Sequence, residues 1–123
     1  MTRDEVAQHI TARYDAESGN FFAKDSSVIV FMRTDNKKWF AATKNIGRRY
    51  LGIGKDGRID ILNVKLQPHV VASLRKREGF LPAWNMNQNN WVTILLDGTV
   101  PDEEILAYLD SSFADAGIKG RKR

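Results

Sequence analysis

The sequence predicts a two-layer α+β domain, an antiparallel sheet of five to six strands with helices on one face. Three observations point to it. Apolar residues recur every four positions near both ends, at Val6, Ile10 and Tyr14 and at Ile105, Leu109 and Phe113, as on one stripe of a helix. Between them lie dense β-branched and aromatic runs at residues 28–32, 39–43, 59–64 and 91–96. These runs come in groups and do not alternate with helices, so an antiparallel sheet is expected. A chain of 123 residues builds one core and is too short for two. Residues 1–118 form the expected domain and 119–123 a basic tail.

Each element has a local cause. Thr2 and Glu5 have the spacing of a capping box, in which each side chain satisfies a free backbone N–H. The first helix then runs to a stop near Gly19. Residues 28–32 and 39–43 read as a hairpin about Thr34, Asp35, Asn36 and Lys37. Residues 50–53 and 59–64 read as a second, because Asp56-Gly57 supplies the positive φ of a tight turn. Pro68 suits the first position of a helix, where its missing N–H costs nothing. Val70, Val71 and Leu74 give that helix its buried side, and Gly79 its stop. Residues 80–86 and 91–96 form the last hairpin. The final helix follows Pro101, with Asp102, Glu103 and Glu104 at the positive end of its dipole. The expected order is α-β(3–4)-α-β(2)-α.

Several short motifs fall into this order. Val64-Lys65 precedes Pro68, Pro82 lies ahead of Met86-Asn87, and Trp91 opens the last strand. Leu96-Asp97-Gly98 leads into the helix that ends in Ser112-Phe113, and Lys38-Trp39-Phe40-Ala41 stands in the first hairpin. Together they resemble the MmcQ/YjbR family of small bacterial proteins, over most of the chain. The resemblance implies the same α+β arrangement, akin to secretion chaperones and CyaY. It also implies DNA binding, with paired hairpins acting as wings. In one loop the chain departs from the family. Asn85, Gln88 and Asn90 stand where the family has histidine, lysine and histidine or arginine, so that loop has lost its positive charge.

Composition narrows the function classes. Four of the 19 Lys and Arg lie in the last five residues, so the other 15 match the 15 Asp and Glu. The net charge of +4 therefore belongs to the tail and not to the domain. Zero cysteines exclude disulfide and thiol chemistry. No apolar run approaches the roughly 18 residues of a membrane helix, and Met1 to Glu5 offer no apolar leader. A cytoplasmic address is expected.

No catalytic constellation emerges. Gly52-Ile-Gly54-Lys-Asp-Gly57 matches the dinucleotide fingerprint in letters, but that fingerprint needs a following helix, and a strand is expected here. His9 and His69 read as surface histidines without a metal-site spacing. Asp102, Glu103 and Glu104 are explained by the helix dipole. The expectation is a non-enzymatic protein with no cofactor and no metal.

Two binding classes remain. The first is weak, sequence-independent DNA binding, with Lys37, Lys38, Lys55 and Arg58 at turn tips gripping phosphates. Lys65, Arg75, Lys119 and Arg121 would add charge. Arg75 also reads as a helix C-terminal cation, Lys65 as a solvated strand end, and the tail as a non-specific source of any affinity. The second is a protein-interaction or chaperone-like adaptor, docking through an open sheet face. Its candidate anchors are Trp39, Trp84, Asn85 and Asn87. Amides and tryptophans in that last loop suit recognition and equally suit a hairpin turn. Trp91 is expected to be buried, and Trp84 partly exposed.

Overall fold

The computed structural model describes residues 1–22 and 25–117. Its elements are α1 (Arg3–Arg13), β1 (Ala16–Gly19), β2 (Ile29–Arg33), β3 (Trp39–Gly47), a 3-10 turn (Arg48–Leu51), β4 (Arg58–Lys65), α2 (Pro68–Leu74), β5 (Phe80–Pro82), β6 (Trp91–Leu95) and α3 (Asp102–Ala116). The six strands form one sheet in the order β1-β2-β3-β4-β6-β5, and every neighbouring pair is antiparallel. The expected α+β class holds.

All three helices cover one face. Val6 and Ile10 of α1, Val71 and Leu74 of α2, and Ile105 and Leu109 of α3 meet Leu62, Val64, Val92 and Ile94 of the central strands in the main core. Side chains of a strand alternate between faces, so Leu62 and Val64 pointing to the helices sends Ile59, Ile61, Asn63 and Lys65 to the other side. β3 breaks the alternation once. Phe31 pairs with Ala41 but Met32 with Trp39, so Phe40 is an extra residue opposite the β2 step. That bulge lets Phe40 and Ala41, though adjacent, both join the helix-side core.

Four local expectations are corrected. The first helix stops at Arg13, six residues before Gly19, because the chain becomes extended at Tyr14. Ala16–Gly19 then pairs with β2 as an edge strand, and that backbone pairing overrides the segment's weak propensity. Residues 50–53 are not a strand. β3 itself runs on to Gly47 to pair with β4, and the 3-10 turn follows. α2 ends at Leu74, and Gly79 serves the start of β5 instead. It sits at φ +95, and a Cβ there would come within 2.7 Å of Val100 Cγ2. β5 spans only three residues, because beyond Pro82 the chain leaves β6 to carry Trp84 over the sheet.

That last departure reaches the whole second face, which is not open. Ile46, Ile59, Ile61 and Leu95 are buried there under Leu51, Ile53, Leu81 and Trp84. Val28, Val30 and Ala42 are buried under Phe22, Trp39, Trp84 and Met86. Three loops thus close the sheet with their own apolar side chains, which is why every residue of β6 is buried.

Candidate functional site

The turn between β2 and β3 is internally neutralised. Lys37 adopts φ 60 and pairs with Glu17. Arg33 makes a two-pronged contact with Asp35 and donates to the Phe113 carbonyl at 2.7 Å. The Asn36 amide donates to the Ala116 carbonyl, and its oxygen accepts from the Lys38 N–H. Lys38 is exposed, but the turn as a whole is tied to its own acids and to the end of α3.

The connection from β3 to β4 is different. It carries Arg48, Arg49, Lys55 and Arg58 against one acid, Asp56. None of the four cations joins an ion pair among the described residues. Leu51 and Ile53 pack into the second-face core and anchor the loop, while Arg49, Tyr50, Lys55 and Arg58 are exposed. The Arg48 N–H donates to the Gly57 carbonyl at 3.0 Å and closes the loop at its base. Gly57 has φ +83, the conformation expected of the Asp-Gly step. Arg58 is oriented by Asn45, whose side-chain and backbone oxygens accept from it at 2.6 and 2.9 Å. The Arg49 hydrogen bond to the Tyr50 hydroxyl is the main cause pulling that phenol below its ordinary pKa.

The four turn cations expected to act together are therefore separated. The Lys37–Lys38 turn precedes β3 and the 48–58 loop follows it. At roughly 3.3 Å per residue, the length of the strand puts them about 26 Å apart. Lys65 lies at the same end as Lys37, since Val64 pairs with Ala41. It is half-buried beside Trp91, its partner in β6. Arg75 is exposed and donates to the Gln88 carbonyl at 3.1 Å, tying the asparagine-rich loop to α2. Its neighbour Arg77 pairs with Glu104. Lys119 and Arg121 lie outside the described residues. Sequence reasoning missed Arg48, Arg49 and Tyr50 because residues 50–53 read as a strand. A count of charges along residues 48–58 would have found them.

The adaptor anchors are largely structural. Trp39 and Trp84 are half-buried against the small clusters described above. The Trp84 N–H donates to Thr93 Oγ1, its carbonyl accepts from Asn63 Nδ2 at 2.8 Å, and Thr93 Oγ1 donates to Asn63 Oδ1. Lys44 Nζ stands 5.2 Å from the Trp84 ring centroid and pairs with Asp25. That lysine, helped by the Ser27 hydroxyl, holds the Asp25 carboxyl down at about 2. Asn85 is exposed at φ 57, and the Asn87 side chain accepts from the Asn89 N–H, so both serve the turn. Trp91 is 7% exposed.

Other candidate chemistry is sparse. Among the described residues no three His, Cys, Asp or Glu side chains converge as a metal site. No described helix is long and apolar enough to cross a membrane. His69 is exposed as expected, whereas His9 is half-buried with its ring edge on Tyr14 at 5.9 Å.

Comparison with known proteins places this architecture. The sequence model of the YjbR family matches residues 11–114. The uncharacterised protein YyaQ of Bacillus subtilis is 32% identical over 113 residues, 92% of this chain and 96% of that protein. The uncharacterised protein YjbR of Escherichia coli is 30% identical over 56 residues, 45% of this chain and 48% of that one. A crystal structure of a Pseudomonas syringae protein superposes with a TM-score of 0.89 at 34% identity, covering 94% of this chain and 99% of that one. A Deinococcus radiodurans protein superposes with a TM-score of 0.74 at 25% identity, covering 99% of this chain and 83% of that one.

Proposed function

The chain belongs to the YjbR family, and we propose that this protein is a non-enzymatic binder of nucleic-acid phosphates that uses the loop between β3 and β4. The observation that carries this is the charge of residues 48–58, four cations against one acid, with no ion pair to absorb them among the described residues. Because Leu51 and Ile53 anchor the loop, its cations are presented on a fixed support. Phosphate contacts made by such side chains are indifferent to base sequence and weaken steeply with salt. The Lys37–Lys38 turn contributes little, since Glu17 already satisfies Lys37.

The test is a salt titration of binding to a random duplex with the full chain. R49Q/K55Q lowers affinity for all sequences alike and reduces the slope of log K against log salt by about 2, near one unit per lost phosphate contact. K37Q/K38Q changes affinity less than twofold. Unchanged binding by R49Q/K55Q at low salt would overturn the reading.

A further inference from the structure

The cationic loop also presents an aromatic ring. Tyr50 is 66% exposed and Phe21 54%, the two large hydrophobic side chains so presented among the described residues. A single exposed ring is ordinary by itself, but Tyr50 is held. Its ring lies against the backbone at Gly47, where a Cβ would come within 3.1 Å of it. The Arg49 guanidinium stands 5.1 Å from the ring centroid, and its Nη2 donates to the hydroxyl at 3.2 Å. The ring is thus held between the Gly47 backbone and the Arg49 guanidinium, whereas Phe21 stacks on Trp39 at 5.5 Å.

We propose that the nucleic acid taken by this loop is single-stranded, with a base stacked on Tyr50 and the adjoining phosphates on Arg49 and Lys55. The proposal rests on the phosphate reading of the same loop and narrows its ligand. A duplex hides the faces of its bases and presents their edges in the grooves. Reading those edges takes a helix or a β-ribbon that enters a groove. The loop offers neither, because its 3-10 turn has four residues and Leu51 and Ile53 fold it back onto the sheet. A single strand exposes base faces and phosphates together, and an exposed aromatic ring beside a cation, on a loop rich in cations, matches both without reading sequence. Gly47 leaves the space the ring occupies.

Fluorescence anisotropy with the full chain tests this, using a labelled single strand of about 12 nucleotides, its duplex, and labelled polyglutamate. Thermal melts check that each variant is folded. Y50A is expected to lose about tenfold in single-strand affinity with less than a twofold change on the duplex. Y50F, which keeps the ring, is expected to bind the single strand within twofold of wild type. Equal losses on both nucleic acids, or no loss on the single strand, would overturn the proposal. If R49Q/K55Q still weakens duplex binding in that case, the broader phosphate reading survives. Binding to neither nucleic acid at low salt would overturn both. Polyglutamate bound as tightly as the single strand, with the same Tyr50 dependence, would reject a nucleic acid in favour of an acidic protein.

Discussion

Ser112 of α3 and Lys65 at the end of β4 are joined through one hydroxyl. The Lys65 N–H donates to Ser112 Oγ at 3.0 Å, and that same oxygen donates to the Phe40 carbonyl at 2.6 Å. The β3–β4 ladder ends one step earlier, at Ala41 and Val64. A fully buried serine of the helix layer therefore completes hydrogen bonding where the ladder between these two central strands ends. An unpaired polar group in that position would carry its full desolvation cost.

S112A should therefore destabilise more than a surface serine substitution does. Removing the hydroxyl strands the Phe40 carbonyl and the Lys65 N–H, for a cost of about 2 kcal/mol. Denaturant unfolding measures it, and a change below about 0.5 kcal/mol would show that water replaces the bridge.

Thr93 is the corresponding post on the second face. T93V keeps the shape but leaves the Trp84 N–H and Asn63 Oδ1 without the partner that now joins them. A loss of about 2 kcal/mol is expected. Iodide quenching of Trp84 should also rise, because the loop loses a tie to β6.

The tryptophans of the final hairpin should separate. W91A, at a position 7% exposed, is expected to cost about 3–5 kcal/mol. W84A should cost less, since its ring is half-buried, yet more than a surface residue, since it bridges both second-face clusters. Single-tryptophan variants quenched by iodide should rank Trp91 below Trp84, and the reverse order would contradict the packing.

Asp25 gives a pH signature. Its folded pKa of about 2 lies below the ordinary aspartate value near 4. The contact therefore contributes fully above about pH 4 and is lost as pH falls through about 2. An NMR titration of the carboxyl carbon should show the low midpoint in the wild type. In K44M the midpoint should move up toward the ordinary range near 4, and an unmoved midpoint would mean that Lys44 is not its cause.

Elements whose cause is local were legible in the chain. The capping box at Thr2 and Glu5 is present in full, Pro68 opens α2, and Gly57 turns the chain with positive φ. The apolar periods of α1 and α3 also predicted the stripes those helices bury, because the 3.6-residue period is a property of the helical backbone. Tertiary structure alone decided three further matters. Ala16–Gly19 became a strand because β2 offered an unpaired edge, which no propensity within four residues encodes. The second face closed because loops distant in sequence each brought apolar side chains to the same strands. Lys37 and Arg58, alike as turn cations in the sequence, took different roles. Glu17 happens to lie beside one of them, and the length of β3 sets them far apart. Charge is written residue by residue, but a site depends on which charges the fold brings within reach and which it leaves unpaired.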